Sequence, residues 1–279
     1  MINEIEQVAL RAARAAGRIH LKRLSRITIN RKSNSIDLVT EADRESEAAI
    51  IEVINRAFPT HAILAEESGA SVHQSDHRWI IDPLDGTTNF AHGYPQFCVS
   101  IAYERRGRVQ FGVVYDALKK ECFIAHRGQG ARLNGKTIRV SATPNLCSSL
   151  LCTGFAYDRR ERRRFYMCFW EELMMRTQGI RRTGSAALDL AYVAAGRTDG
   201  FWEFGLRAWD VAAGALIVEE ARGRVTNMDG SQLDLGGANI VATNARLHDE
   251  LVETIAQTRP EADRRHAEML RETKASASA

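Results

Sequence analysis

Apolar and polar positions fall into two kinds of block along this chain. Over residues 1–24, Glu4, Glu6, Arg11, Arg14 and Arg18 interrupt small apolar residues, which breaks any signal-peptide core and suits an amphipathic helix. Thr40-Glu41-Ala42-Asp43 reads as a capping box ahead of Ala48, Ile50, Ile51, Val53 and Ile54, predicting a second helix from about residue 41 to Ala57, with Pro59 beyond it. Residues 62–65 and 79–81 are short apolar runs that flow directly into acids, Glu66-Glu67 and Asp82. Strands do this when they deliver side chains to a site at their ends. Residues 97–103 and 109–115 flank a polar segment containing Gly107, a hairpin signal. Further strands are predicted near 121–125, 137–140, 150–153 and 200–204. Helices are predicted near 161–176, 186–195 with Gly196 closing it, and 208–221 with Gly223 beyond its end.

Strands first and mixed α/β afterwards suggest layered sheets and helices, with no repeat and no linker to divide them. The chain therefore reads as one functional unit of two lobes, about 1–145 and 146–258. The remaining 259–279, charged and then Lys-Ala-Ser-Ala-Ser-Ala, is expected to be a disordered tail. At 279 residues and 44% hydrophobic the chain can bury a sizeable core, and a net charge of +3 exerts no strong pull toward nucleic acid. The 5 cysteines are never spaced C-x-x-C and read as reduced core thiols rather than a disulfide framework or zinc site. No run approaches a membrane span, and a cytoplasmic enzyme is the expectation.

Asp43, Glu66, Asp82, Asp85 and Asp210 each follow or interrupt an apolar segment, with Glu67 beside them. Acids so placed must be exposed, paired or metal-bound, because burying ionised carboxylates together is prohibitively costly. The plain alternative for Asp82-Pro83-Leu84-Asp85-Gly86 is a turn after a strand. Against it stands the chemistry of one short stretch: two carboxylates three apart, the Leu84 carbonyl, then Gly86-Thr87-Thr88 opening a turn or helix. Hard divalent cations want such oxygens, and backbone N–H groups after glycine suit a phosphate.

The run Trp79-Ile80-Ile81-Asp82-Pro83-Leu84-Asp85-Gly86-Thr87-Thr88-Asn89-Phe90 resembles the inositol monophosphatase family. So do Asp37-Leu38-Val39-Thr40-Glu41-Ala42-Asp43, Ala65-Glu66-Glu67-Ser68, Gly184-Ser185-Ala186-Ala187 and Ala208-Trp209-Asp210-Val211-Ala212-Ala213-Gly214-Ala215. The resemblance extends from the first helix to about residue 250. It implies the layered α-β-α-β-α sandwich of the inositol monophosphatase and fructose-1,6-bisphosphatase superfamily, a homodimer, and Mg²⁺-dependent, lithium-sensitive hydrolysis of myo-inositol monophosphate and related small phosphomonoesters. By the same resemblance one Mg²⁺ is held by Glu66, Asp82 and the Leu84 carbonyl, and a second by Asp82, Asp85 and Asp210. A third, weaker ion lies near Glu66 and Glu67. Thr87, hydrogen-bonded to Asp43, orients the attacking water with help from Glu66. Gly86, Thr87 and Thr88 meet the phosphate, while Asp85, Ser185, Ala186, Glu203 and Asp210 bound the substrate. Arg181 is a further contact, although neighbouring Arg182 could equally be the exposed one. Lys32 matches a basic loop that reaches over the metals.

Alternatives on the same ligands are a 3′-phosphoadenosine 5′-phosphate phosphatase and a fructose-1,6-bisphosphatase. The Gly86-Thr87-Thr88-Asn89 ending favours the inositol branch, since nucleotide-directed relatives usually carry a lysine and an acid after the first threonine. Some bacterial members of the family also act in transcription antitermination. That brings RNA polymerase and its factors in as expected partners, docking on the basic run Arg159-Arg160-Glu161-Arg162-Arg163-Arg164. The plainer reading of this run is a solvated helix face or an oligomer rim. His92 reads as structural, because a metal-water mechanism needs no histidine. Trp79, Trp202 and Trp209 read as core or wall residues.

Overall fold

A computed structural model describes residues 2–24, 29–31, 38–71, 75–237 and 239–277; the basic loop with Lys32 lies outside these. In chain order the first half forms α1 (Ile2–Arg23), β1 (Ile29–Arg31), β2 (Leu38–Thr40), α2 (Glu41–Ala57), β3 (Ala62–Ala65), β4 (Gly69–Ala70), β5 (His77–Asp85) and α3 (Thr87–Ala91). It continues through β6 (Cys98–Arg105), β7 (Arg108–Asp116), β8 (Glu121–His126), β9 (Ala131–Leu133) and β10 (Lys136–Thr137). The second half forms β11 (Leu150–Thr153), α4 (Arg163–Arg176), β12 (Gly179–Arg181), α5 (Ala186–Ala194), β13 (Gly200–Glu203), α6 (Ala208–Glu220), β14 (Arg224–Asn227), β15 (Ile240–Thr243) and α7 (His248–Ala277).

Two large sheets organise the described residues, one of 8 strands in the order β10-β9-β8-β7-β6-β5-β3-β4 and one of 5 in the order β12-β11-β13-β15-β14, while β1 and β2 pair with each other apart from them. On the outer face of the large sheet lie α1 and α2. Ile5, Val8, Ala9, Ala12 and Ala16 of α1 recur at helical spacing and are buried with Trp79, Ile81, Ile101 and Val113. Between the sheets lie α5 and α6, whose Leu188, Leu190, Val211 and Leu216 share a core with Ile80, Val114, Phe201 and Ala242. On the far side of the small sheet α4 and α7 close a third core around Phe165, Phe169, Trp202 and Leu251. The result is the expected α-β-α-β-α sandwich. Strand β6 is buried at every position but its last, because helices cover both faces of the sheet.

Close approach at the middle layer depends on missing side chains. A Cβ on Gly112 of β7 would lie 2.9 Å from the Ala213 Cα and carbonyl oxygen, and one on Gly214 would lie 2.7 Å from Leu190. These glycines and alanines let α6 sit directly on the sheet and on α5.

Several expectations change. Strand β5 is longer than residues 79–81 and carries both site aspartates. The strand expected over 137–140 shrinks to β10, while β9, β12, β14 and β15 are too short to show a period in the sequence. Residues 259–277, expected to be disordered, continue α7. Ala262 and Met269 sit seven apart and are buried against α4, and the charges around them pair with its outer face: Arg164 with Glu272 at 2.6 Å and Arg265 with Glu171 at 3.0 Å. A sparse apolar seam inside a charged segment mimics a solvated tail.

Gly112→Ala should lower stability by roughly 1–3 kcal/mol, since the added methyl meets backbone that cannot step aside. Urea denaturation reads this out, and an unchanged midpoint would show that α6 has room to shift.

Candidate metal centre and active site

Parallel pairing of β3 with β5 sets the first part of the site. Ala65 lies opposite Ile81, so Glu66, one residue past the strand end, comes beside Asp82, and its N–H reaches the Ile81 carbonyl at 3.2 Å. Pro83 lacks an N–H, and the register of β5 against β6 slips between Asp82 and Asp85. The Leu84 N–H instead donates to Asp82 Oδ1 at 2.9 Å. The third aspartate, Asp210, comes from the first turn of α6, where its Oδ2 accepts the Arg207 N–H at 2.6 Å.

Carboxylate oxygens of Asp82, Asp85 and Asp210 lie within 4.8 Å of one another. All three acids are pushed above the ordinary carboxylate range. Burial is the largest cause for each, followed for Asp82 by the charges of Glu66, Asp85 and Asp210. Asp85 is partly relieved, because its Oδ2 accepts from Ser185 Oγ at 2.5 Å and from the Ala187 N–H at 2.8 Å. These hydrogen bonds do not cancel the mutual repulsion, and a divalent cation would. Among the described residues the donor set is all oxygen, without a cysteine or histidine ligand, which suits Mg²⁺ or Ca²⁺ and disfavours zinc.

Beside the acids the chain turns sharply into α3. Gly86 has φ +97°, and a Cβ there would meet the Gln96 carbonyl oxygen at 2.8 Å, so glycine is required on both counts. Thr87 Oγ1 donates to Asp43 Oδ1 at 2.9 Å, with the Leu84 carbonyl oxygen at 3.1 Å. Asp43 is fully buried at the start of α2, and its Oδ2 accepts the Thr40 N–H at 2.7 Å and the Thr40 hydroxyl at 2.6 Å, the capping box read from the sequence. Across the cleft, Glu203 at the end of β13 is buried and held well above the usual carboxylate range by that burial. A Cβ on Gly154 would lie 2.1 Å from Glu203 Oε2, so only glycine leaves that carboxylate its place.

A cleft of about 670 Å³ joins these groups. Its walls include Glu66, Asp82, Leu84, Asp85, Gly86, Thr87, Thr88, Ser185, Ala186, Glu203 and Asp210, and Asp43 stands behind Thr87. Arg181 stands apart from these walls. Its guanidinium turns back to donate to the Ile180 carbonyl oxygen, whereas Arg182, the next residue, lines the cleft. Arg181 is the last residue of β12, and Arg182 lies just beyond the strand end. His92 is exposed at the end of α3, away from the acids.

The sequence reading missed several supporting residues. His20 of α1 is fully buried, and since Pro83 O can only accept, Nε2 carries the hydrogen of their 2.9 Å contact. Burial brings its pKa down to about 4, so the ring is neutral. Asn89 Nδ2 donates to the carbonyls of Gln96 and Thr183 at 2.7 and 2.8 Å, tying the Gly86 turn to the segment that carries Arg182. Asp189 in α5 accepts from Thr183 Oγ1 at 2.6 Å and fixes the other side of that segment.

Buried acids converge at strand ends and helix starts, beside a glycine turn suited to an anion, an arrangement whose chemistry fits a divalent cation and a phosphorylated ligand. The chain belongs to the inositol monophosphatase family, whose family model matches residues 1–262. It is 48% identical over 256 residues to the Nus factor SuhB of Pseudomonas aeruginosa, covering 89% of this chain and 94% of that protein. It is 51% identical over 235 residues to an inositol-1-monophosphatase of Synechocystis sp., covering 82% and 80% of the two chains. Among solved structures, the inositol monophosphatase from Anabaena superposes with a TM-score of 0.84 at 47% identity, covering 92% of this chain and 96% of that one.

Burial raises the Asp189 carboxyl from 3.8 to about 8. Its folded-state value thus lies above its unfolded value, so between these limits the folded protein binds the extra proton. This contribution favours folding most below about pH 4 and declines as pH rises toward 8. Asp189→Asn should remove that part of the slope in urea unfolding of metal-free protein. Equal losses between pH 5 and 8 in both proteins would show that Asp189 does not titrate this way.

Proposed function

We propose that this protein hydrolyses small phosphomonoesters, myo-inositol monophosphate first among them, to the alcohol and inorganic phosphate, and that it requires Mg²⁺. The observation that carries the reading is the clustering of Asp82, Asp85 and Asp210 beside the Thr87–Asp43 hydrogen bond. Family membership and 51% identity to an inositol-1-monophosphatase support it. Magnesium would be held by Glu66, Asp82, the Leu84 carbonyl, Asp85 and Asp210, as two ions with a third, weaker one near Glu66 and Glu67. Bound there, it supplies Lewis-acid charge and an activated water.

The protein's own groups account for the remaining steps. With its hydrogen committed to Asp43, Thr87 Oγ1 meets the cleft as an acceptor and would orient the attacking water through a hydrogen bond, while the Glu66 carboxylate would accept one proton from it. The backbone of Gly86, Thr87 and Thr88 orients the phosphate; Asp85, Ser185, Ala186, Glu203 and Asp210 bound the alcohol. Arg182, in place of Arg181, adds a positive charge on that side. As the water oxygen bonds to phosphorus the ester P–O bond breaks, the leaving oxygen takes up a proton equivalent to the one the water gave up, and the products are the alcohol and inorganic phosphate.

The fuller reading includes a homodimer, lithium sensitivity, a cytoplasmic setting and residues 1–258 as one two-lobed catalytic unit. A 3′-phosphoadenosine 5′-phosphate phosphatase or a fructose-1,6-bisphosphatase is the alternative on the same ligands. Similarity to the Nus factor SuhB over 89% of the chain supports a second role in transcription antitermination, with RNA polymerase or its factors as partners.

Phosphate release from inositol 1-phosphate should require Mg²⁺ and vanish in Asp82→Asn. Thr87→Ala should reduce kcat by roughly 10²–10⁴-fold with a smaller change in KM. Well-folded wild type that releases no phosphate from any of the three candidate esters with Mg²⁺ would sink the catalytic reading and leave the transcription role.

A further inference from the structure

Pro83 and Leu84, in the middle of the acidic motif, have no strand partners. Asp82 pairs with Ser100 and Asp85 with Cys98, so the two residues between share the single opposing residue Val99, while the pairing of β3 with β5 has already ended at Ile81. Buried backbone groups without a ladder need other partners. Pro83 has no N–H, so its carbonyl and both backbone groups of Leu84 are left to side chains. The Leu84 N–H donates to Asp82 Oδ1 at 2.9 Å, the Leu84 carbonyl oxygen lies 3.1 Å from Thr87 Oγ1, and the Pro83 carbonyl oxygen accepts from His20 Nε2 at 2.9 Å.

Two of these contacts act on one rigid unit. The Pro83 carbonyl and the Leu84 N–H belong to the same planar peptide, which is gripped at its oxygen by His20 and at its nitrogen by Asp82. Rotating that plane would break both hydrogen bonds. Its orientation decides where Asp82 turns Oδ1, hence which way Oδ2 faces, and sets the direction from which the Leu84 carbonyl departs.

His20 is itself held from both sides along α1. One turn earlier, Gly17 lets the helix approach β7, where a Cβ would lie 2.6 Å from the Tyr115 ring and 2.8 Å from Ala117 Cβ. One turn later, Arg23 Nη1 lies 3.1 Å from Glu41 at the start of α2. The imidazole packs against Phe90 and Phe97, with ring centroids 6.0 and 5.9 Å away. A leucine would suit this apolar setting better than a ring whose buried Nδ1 has no hydrogen-bond partner among the described residues. What the imidazole adds over a hydrocarbon is the donor to Pro83.

We propose that His20 is a positioning residue of the metal centre: by holding the Pro83–Leu84 peptide, it keeps Asp82 and the Leu84 carbonyl oriented toward the cation. This rests on the metal-dependent reading above and extends the centre to α1, 63 residues away in the chain.

The test compares wild type with His20→Leu, which keeps bulk and loses the donor, and with His20→Gln, whose amide nitrogen reaches the place of Nε2. Mn²⁺, which takes the same oxygen donors as Mg²⁺ and is followed by electron paramagnetic resonance, is titrated into each protein without substrate. His20→Leu should bind it on the order of ten- to a hundredfold more weakly, and His20→Gln should recover most of the loss. Affinities equal within about twofold, or a glutamine variant no better than the leucine one, would overturn the role of His20 and leave the metal centre intact. A loss of affinity that only tracks a lower urea midpoint of the metal-free protein would do the same, marking the residue as structural. Well-folded wild type that binds no Mn²⁺ would instead remove the metal centre, and the role of His20 with it. Should neither variant fold, nitrogen NMR of the wild-type ring decides. An Nε2–H tautomer whose signals move on saturation with Mg²⁺ supports the proposal, and an Nδ1–H tautomer, or signals that Mg²⁺ leaves in place, refutes it.

Discussion

Gathering like-charged carboxylates in one partly dehydrated place is the constraint around which this protein is built. Each acid would prefer water, and each raises the proton affinity of the next. Their positions are therefore held by elements with independent reasons to be where they are. Strand β5 is buried in the large sheet, β3 pairs with it, and α6 is packed between two sheets. The acids are carried to the meeting point by apolar burial that outweighs their repulsion.

That arrangement explains the prevalence of small residues in the middle layer. Asp210 reaches Asp82 and Asp85 only because Gly112 and Ala213 let α6 lie close against β7, and because Gly214 admits Leu190 of α5. The same closeness brings the start of α5 to Asp85, where Ser185 and the Ala187 N–H satisfy one carboxylate oxygen. Gly86 and Gly154 act at shorter range, one giving the backbone a left-handed turn and the other leaving room for the Glu203 carboxylate. Packing and chemistry are coupled here through absent methyl groups.

The acids themselves were legible in the sequence because each ends an apolar run or opens a helix, and that pattern is local. The hydrogen bond between Thr87 and Asp43 was legible only through resemblance, since nothing local joins the two residues. His20 and Pro83 are separated by 63 residues, Asn89 and Thr183 by 94, and Asp85 and Ser185 by 100. No periodicity encodes such pairings. The choice between Arg181 and Arg182 turned on where a three-residue strand ends, which its sequence does not specify. Helix α7 was hidden for the opposite reason: its charges are conspicuous, and the Ala262 and Met269 seam that docks it is sparse.

The separation of Asp85 from Ser185 also bears on how the protein is made. Chains emerge from the N-terminus, so β5 and its aspartates exist for some time before α5 and α6 have been synthesised. During that interval the inner face of the large sheet has no cover, and Asp85 lacks the donors that later relieve it. Contacts of such high sequence separation form late and slowly. The acidic cluster is thus completed only once α5 and α6 have joined the large sheet, well after the strand that carries two of its aspartates has been made.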